Sequence, residues 1–171
     1  MLFRSKLGVR LNVLSDIHPS VYKSIIDAFP DVDFYDYTKL NVDPVAPNHH
    51  YTYSSTGVSD DDVQNFHQNW KQMRGRLDNG QNVAMAFSHK QHLPETIRDE
   101  ETGKIYRVIN GDTHDLRTLD KVGEGEDGVI VGLKNKKAKG KQMEAHKDSK
   151  GFFVKYDPEL IRNEKGTSLR G

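Results

Sequence analysis

Polar side chains that could bind or transform a small molecule follow four predicted strands of this 171-residue chain. The carboxyl ends of parallel strands meet at one edge of a sheet, which is where α/β proteins build their sites. At that edge Lys39 would offer a positive charge to a phosphate or carboxylate, and Asp16 would orient a hydroxyl or an amine. Polar residues also follow strands simply because the chain leaves the core there. The candidate ligand-binding residues are Ser15, Asp16, Thr38, Lys39, Ser54 and Ser88.

A second group of reactive side chains lies in the turn at residues 111–117, which has the sequence Gly-Asp-Thr-His-Asp-Leu-Arg. A carboxylate and a guanidinium this close in sequence could pair and fix the shape of the turn. They could instead hold a phosphate, or orient the imidazole as a general acid or base. The sequence leaves both interpretations open, and with them whether the chain is an enzyme. The candidate catalytic residues are Asp16, Lys39, Asp112, His114 and Arg117.

Neither a metal ion nor an organic cofactor is indicated by the sequence. The absence of cysteine excludes disulfides, iron–sulfur ligation and thiolate zinc sites in this chain. The spacing of His89 and His92 matches no familiar ligand motif, so no metal site is predicted. Residues 123–128, Gly-Glu-Gly-Glu-Asp-Gly, carry the letters of a dinucleotide-binding loop, but they precede a strand and their three carboxylates would repel a pyrophosphate.

The basic and acidic residues, 25 of each, cancel over the whole chain but are unevenly distributed along it. Residues 11–62 contain nine aspartates and two lysines, a net charge of −7. Residues 134–150 contain seven lysines and two acidic residues, a net charge of +5. These lysines could contact nucleic-acid phosphates, although no aromatic residue among them could stack on bases, and a solvated basic hairpin is the alternative. The candidate nucleic-acid contacts are Lys134, Lys136, Lys137, Lys139 and Lys141.

The elements that would position these residues begin with a β–α–β unit. Alternating apolar residues predict a strand at residues 9–14, and a β-rich run predicts another at residues 32–37. Between them Pro19 suits the first turn of a helix, apolar residues from 21 to 29 follow at helical spacing, and Pro30 ends the helix. Such crossovers are overwhelmingly right-handed and join parallel strands.

The middle of the chain repeats this pattern. A third strand is predicted at residues 51–53 and a fourth, more apolar one at residues 83–87. Ser59 would cap the helix between them, and Gly80 would end it. The apolar residues of this helix recur at steps of three and four, which is typical of a helix that packs on a sheet. The residues expected to be buried there are Phe66, Trp70 and Met73.

After residue 90 the pattern changes from strand and helix to strand and turn. Residues 98–104 predict the turn of a β-hairpin, and further strands are predicted at residues 129–133 and 152–154. The expected fold class is α/β, with a mostly parallel sheet and a β-rich C-terminal part, forming either a partial (β/α) barrel or an open sheet. We expect a single domain over residues 1–160 and a polar, frayed tail at residues 161–171.

Several segments of the chain are similar to a known family. They are Arg-Leu-Asn-Val-Leu-Ser-Asp at residues 10–16, Phe-Tyr-Asp-Tyr-Thr-Lys at 34–39 and Val-Ile-Asn-Gly-Asp-Thr-His-Asp-Leu-Arg at 108–117, followed by the runs at 128–134 and 149–154. In this order they resemble segments of the gene product 88 proteins of phages and plasmids. The resemblance extends over residues 9–155.

The resemblance implies no particular activity. Longer members of the family place a cysteine-rich segment ahead of the part seen here, so the chain is expected to correspond to their C-terminal part and to carry out no cluster chemistry. The order strand, Ser-Asp, helix, strand, Tyr-Thr-Lys also resembles the later half of phage proteins with a radical-SAM-like barrel. A complete barrel takes about 250 residues, so this chain would form a piece of one or an open sheet.

Two functions follow as hypotheses. The first is a phage-type α/β domain, derived from a barrel enzyme, with a polar cleft at its strand ends. The second is a non-enzymatic interaction protein that binds nucleic acid or a host protein through its charged faces. No apolar run reaches the ~20 residues of a membrane span, and residues 1–6 lack the hydrophobic stretch of a signal peptide. We therefore expect no membrane contact and a location in the cytoplasm of the bacterial host.

Overall fold

The computed structural model of the chain describes residues 7–55, 63–89, 91–120, 125–136, 154 and 166–169. Two α-helices lie within these ranges, α1 at Lys23–Ala28 and α2 at Val63–Asp78. Neither of them has the length and apolar character that crossing a membrane requires. The described strands are β1 Gly8–Arg10, β2 Asp33–Thr38, β3 His49–Ser54, β4 Val83–Phe87, β5 Thr96–Asp99, β6 Ile105–Asn110, β7 Ile130–Lys134 and β8 Gly166–Leu169.

The strands form one mostly parallel sheet with the order β1-β2-β3-β4-β7-β6-β5-β8. Neighbouring strands are parallel except β5 and β6, which form the predicted antiparallel hairpin. The two outer strands in this order, β1 and β8, have no ladder to each other, so the described sheet is open. The predicted α/β class is confirmed, and of the two predicted forms the structure shows the open sheet.

The first strand is shorter than predicted, because it ends at Arg10 rather than at residue 14. The chain leaves the ladder after Arg10, and the backbone N–H of Asn12 donates instead to Asp36 Oδ1 at 2.6 Å. Leu14 is 99% exposed. The end of the apolar run at residues 9–14 is therefore loop, and alternation alone did not distinguish it from strand.

The helix predicted after Pro19 is confirmed, although its first turn is a 3₁₀ turn that leads into α1. Pro19 lies in that first turn, where a helix needs no hydrogen bond from a backbone nitrogen. The side-chain amide of Asn48 donates to the carbonyl oxygens of Phe29 at 3.1 Å and Val32 at 2.9 Å, and so fastens the end of α1 beside the start of β3. Ile26 is the residue of α1 that is buried.

The predicted packing of α2 is confirmed where the structure describes it. Trp70 and Met73 are fully buried, and the Trp70 ring meets the Tyr106 ring edge-on with centroids 5.9 Å apart. The helix ends at Asp78, and Gly80 adopts a φ of 74°, the left-handed conformation that commonly ends a helix. The Ser59 cap and the Phe66 side chain lie outside the described residues. The core around α2 contains Tyr53, Trp70, Met73, Leu77, Val83, Met85, Phe87, Ile97, Tyr106, Ile130 and Val154.

The end of the chain contributes to the sheet at two places. Val154, the described residue of the strand predicted at 152–154, makes an isolated parallel bridge to Phe87 at the end of β4. Within residues 161–171, for which the sequence predicted a polar tail, Gly166–Leu169 form β8 and pair in parallel with β5.

The register of the strands assigns their side chains to two faces. Asp36 and Thr38 share the face of Tyr53 and Val83, and α2 covers that face. Residues 111–120 cross the opposite face, where Leu116 packs directly onto Gly8 and leaves no room for a Cβ atom. The carboxyl ends of β1, β2 and β3 remain accessible.

Candidate functional site

A groove of about 390 Å³ lies at the carboxyl ends of β1, β2 and β3. Five of the six predicted ligand-binding residues line it, and the sixth, Ser88, is absent from the lining. Ser88 follows β4, where its backbone N–H donates to the Val154 carbonyl oxygen at 2.9 Å. The groove residues are Ser15, Asp16, Thr38, Lys39 and Ser54 from the predicted set, together with Arg10, Asn12, Val13, Leu14 and Tyr37.

Asp16 fixes the wall of the groove. Its Oδ1 accepts a hydrogen bond from Thr38 Oγ1 at 2.8 Å, and its Oδ2 accepts one from the Lys39 backbone N–H at 2.7 Å. Both oxygens of this carboxylate therefore cross-link the loop after β1 to the end of β2. The second of these bonds comes from the Lys39 backbone and leaves the Lys39 side chain unused. That side chain is exposed, and its ammonium group has no ion-pair partner among the described residues.

Two cations and one carboxylate line the groove. Arg10 lies over the ring of Tyr37, 4.9 Å from its centroid, and its Nε donates to the Asn12 carbonyl oxygen at 3.3 Å. These contacts orient the Arg10 guanidinium at the same strand ends as Lys39. The groove is thus locally positive although residues 11–62 are strongly acidic, and this local charge suits an anionic group.

Asn12 organises the loop that carries the groove residues. Its Oδ1 accepts hydrogen bonds from Ser15 Oγ at 3.2 Å and from the Tyr22 hydroxyl at 3.0 Å. Its backbone N–H donates to Asp36, which is fully buried in β2. The sequence prediction missed Asn12 and Asp36 because it considered residues after strands. The sequence did contain a signal for Asp36. This residue lies two positions after the apolar Phe34 in a predicted strand, so both side chains belong to the inward face.

A buried imidazole faces the same carboxylate. His49 Nε2 is 3.9 Å from Asp36 Oδ2, and both side chains are almost completely buried. The Val45 backbone N–H donates to His49 Nδ1 at 3.4 Å, whereas His49 Nε2 and Asp36 Oδ2 form no hydrogen bond among the described residues. Burial raises the pKa of the neighbouring Tyr51 to about 12, and the charge of Asp36 adds to this shift. These residues support the groove from inside the sheet.

The candidate catalytic residues of the 111–117 turn do not join the groove. Arg117 is buried, donates to the Gly111 carbonyl oxygen at 3.2 Å, and lies 3.1 Å from Asp120 Oδ2. Burial raises the pKa of Asp120, and the charges of Arg117 and His114 oppose that shift. A separate cavity of about 570 Å³ lies at the amino ends of β2, β3 and β4, with Arg117 and Asp120 in its wall.

His114 has a partner at each ring nitrogen. Arg117 Nη2 donates to His114 Nδ1 at 3.3 Å, since arginine can only donate. A neutral His114 therefore carries its proton on Nε2, which faces Asp120 Oδ1 at 3.6 Å. Both ring nitrogens of His114 thus face Arg117 and Asp120 of the same segment, and this arrangement favours the structural interpretation of the turn.

Asp112 connects the same turn to the start of the lysine-rich region. Its Oδ2 accepts from the Lys134 backbone N–H at 3.1 Å, and its Oδ1 pairs with Lys136 Nζ at 2.8 Å. Burial alone would raise the pKa of Asp112, but the hydrogen bonds from Lys136 and Lys134 lower it. The other candidate nucleic-acid contacts, Lys137, Lys139 and Lys141, lie outside the described residues.

The histidines after β4 are arranged as a turn. His89 Nδ1 accepts the backbone N–H groups of Gln91 at 3.2 Å and His92 at 3.0 Å. The two imidazole rings lie 5.0 Å apart and tilted. Across the described part of the chain, no three histidine, aspartate or glutamate side chains form a group that could hold a metal ion.

The family model described as Gene product 88 matches residues 2–155, which is most of the chain and includes all the groove residues. No curated protein and no solved structure matches the chain.

Proposed function

The chain belongs to the gene product 88 family, and we propose that it binds a small anionic molecule in the groove at the carboxyl ends of β1, β2 and β3. One observation carries this proposal. Arg10 and Lys39, which are distant in sequence, converge on one groove whose single carboxylate is already used by Thr38 and the Lys39 backbone. A ligand phosphate or carboxylate would complete the charge balance there.

The groove also offers hydroxyl groups to such a ligand. Ser15 is exposed and held by Asn12, and Ser54 ends β3 on the other side of the groove. Hydroxyls can donate to the oxygens of an anion while the two cations supply the charge. Each Asp16 oxygen already accepts one hydrogen bond that holds the loop, and its remaining acceptor capacity would orient a ligand hydroxyl or amine in this proposal.

The strand order supports derivation from a barrel. β1, β2, β3 and β4 are neighbours in sequence order and all parallel, as the strands of half a (β/α) barrel are, although residues 39–48 connect β2 to β3 without a helix. In that fold ligands bind at the carboxyl ends of the strands, and the groove lies at this end. The sheet itself is open. The proposed relation to a barrel therefore concerns the origin of the site and not the present architecture.

The alternative is contact with nucleic acid or a host protein through the charged faces. The described contacts favour binding of an anion in the groove over binding of nucleic acid by the lysine-rich region. Lys136 is already paired with Asp112, and the Lys134 backbone is bound to the same carboxylate. Lys39, by contrast, has no competing acidic partner among the residues described.

Calorimetric titration tests the proposal. The protein, in a phosphate-free buffer, is titrated with inorganic phosphate and, separately, with succinate, which distinguishes a phosphate site from a carboxylate site. We expect one of the two anions to bind and Lys39→Gln to weaken its affinity about tenfold or more, since a charge-assisted hydrogen bond contributes about 1.5–3 kcal/mol.

The matched control is Lys23→Gln, because Lys23 is exposed on α1 and pairs only locally, with Asp27 at 2.6 Å. This variant should bind like the unmodified protein. Absence of binding by both anions, or equal loss of affinity in both variants, would contradict the proposed site.

A further inference from the structure

The groove at the ends of β1, β2 and β3 has an apolar part beside its cations. Val13 and Leu14 both belong to its lining, and they are 62% and 99% exposed. We call these two residues the apolar pair. Ile17 and Leu40, which come directly after two other groove residues in the chain, are exposed as well. Apolar surface is therefore open to solvent at the same strand ends as the two cations.

The loop that carries the apolar pair is held on both sides of it. Before the pair, the backbone N–H of Asn12 donates to the buried Asp36. After the pair, the carboxylate of Asp16 accepts hydrogen bonds from the Thr38 hydroxyl and from the Lys39 backbone. The apolar pair is thus presented to solvent by a loop whose two ends are fixed to β2.

The side chains around the apolar pair are those of a site for a molecule with two chemically different parts. Ligand sites combine apolar surface with a small number of well-placed polar groups. Inorganic phosphate would engage only Arg10, Lys39 and the hydroxyls, and would leave the apolar pair in water. A ligand whose anionic group is joined to an apolar chain would also remove that surface from water, which is favourable.

Tyr37 adds further aromatic surface without adding a negative charge. Its ring lies under the Arg10 guanidinium, and the residue is half-buried in the groove lining. Burial raises the pKa of Tyr37, although the charges of Arg117 and Arg10 oppose the shift. The hydroxyl therefore stays neutral at physiological pH and does not repel an anion.

We propose that the ligand of the groove is an amphiphilic anion. Its carboxylate or phosphate is bound by Arg10 and Lys39, and its aliphatic chain lies against Val13 and Leu14. This inference rests on the anion site proposed above and names the class of molecule that the site takes. The groove volume of about 390 Å³ is near the lower end of the range of about 300–1,000 Å³ for ligand pockets, which suits a small molecule with a short chain.

Calorimetric titration with two homologous series tests the proposal. One series is acetate, butyrate, hexanoate and octanoate, and the other is methyl, butyl and hexyl phosphate. In the series whose head group binds, we expect the affinity to rise about twofold for each added methylene that is half-buried and about fourfold for each that is completely buried.

The result also separates this proposal from the one on which it rests. Binding of inorganic phosphate or succinate, with an affinity that stays constant along both series, would overturn the amphiphilic ligand and leave the anion site standing. Absence of binding by both short anions and by every member of both series would overturn the two proposals together.

Two variants place the chain in the groove. Val13→Ser and Leu14→Ser should each lower the ratio of the affinities for the longest and the shortest member of the series that binds, and both should fold, since the side chains are exposed. The matched controls are Val21→Ser and Leu119→Ser, at positions that are 63% and 58% exposed and absent from the groove lining. They should keep the full ratio. Equal ratios in all four variants would overturn the proposal.

Membrane lipids carry the same two chemical parts, and vesicles distinguish them from soluble ligands. The protein is sedimented with vesicles of phosphatidylcholine that contain phosphatidylglycerol. We expect the soluble amphiphiles to bind and the protein not to sediment with the vesicles, because the lipid chains are packed within the bilayer and cannot reach the groove. Sedimentation with vesicles, without binding of any soluble member, would overturn the proposal in favour of a membrane surface.

Discussion

At the scale of single residues, the groove depends on a buried carboxylate that is not part of its lining. Asp36 accepts the backbone N–H of Asn12, and Asn12 in turn holds Ser15 and Tyr22. A buried N–H without a partner is costly. The position of the groove loop is therefore coupled to one side chain in the middle of β2.

This coupling predicts a difference between two substitutions of Asp36. Asp36→Ala leaves the Asn12 N–H without an acceptor and should lower the free energy of unfolding by about 1–3 kcal/mol. Asp36→Asn keeps an oxygen that can accept the same hydrogen bond, and should lower it less. Urea unfolding of both variants measures the difference, and an alanine variant as stable as the asparagine variant would show that the bond contributes nothing.

Asp99 gives a prediction for acid stability. Burial would raise its pKa, but hydrogen bonds from Arg74, at 2.6 Å, and Thr102 hold the pKa below its usual value. Because the pKa is lower in the folded than in the unfolded chain, the stabilisation is present above the unfolded value of about 3.9 and is lost as the pH falls through the folded value.

Asp99→Asn should therefore lower the free energy of unfolding at neutral pH, and the difference from the unmodified protein should shrink as the pH is lowered below about 4. Unfolding by urea at a series of pH values checks this. A difference that stays constant through the acid range would mean that the charge of Asp99 is not what stabilises the hairpin next to Arg74.

At the scale of elements, the sequence predicted which helices and strands form better than it predicted where they end and which of their faces is buried. The apolar run of β4 and the three-and-four spacing of α2 allow one interpretation, and both are confirmed. In α1 two apolar stripes compete for one sheet, and spacing alone cannot tell which is buried. β1 ended early because a side chain, Asp36, competed with the ladder for a backbone N–H, which is a tertiary effect.

The same reasoning explains the prediction of the groove. Residues that follow strands were found because parallel strands place their carboxyl ends together. Arg10 was missed because it lies within β1, and Ser88 does not line the groove with the others, because the chain at Val154 pairs with the end of β4 there. Local sequence patterns predict neither the place of Arg10 in the groove nor the place of Val154 beside β4.

The burial of α2 predicts a large effect at Trp70. This side chain is fully buried and meets Tyr106. Trp70→Ala should therefore cost about 3–5 kcal/mol, a large part of the roughly 5–15 kcal/mol that stabilises a domain, and leave much of the protein insoluble or unfolded. Ile105→Ala, at an exposed position, is the control. A soluble tryptophan variant with an unchanged melting temperature would contradict the described packing.

At the scale of the whole molecule, the net charge of zero is the sum of an acidic part, residues 11–62, a basic part, residues 134–150, and the remaining residues. If the five candidate lysines bind duplex DNA, the logarithm of the affinity should fall with the logarithm of salt concentration with a slope of roughly −4 to −5. Titration of labelled DNA and RNA at two salt concentrations measures this. Neutralising the five lysines should remove the slope without unfolding the protein, and no binding at low salt would exclude a nucleic-acid role for this stretch.

The central claim is that the chain binds an anion at the ends of β1, β2 and β3. It is tested most directly by following the backbone amide resonances of the isotopically labelled protein while inorganic phosphate or succinate is added. We predict that one anion shifts the amides of Ser15, Lys39 and Ser54 in a saturable manner and leaves those of His114 and Arg117 unchanged. Shifts confined to the 111–117 turn, or no saturable shift with either anion, would contradict the claim.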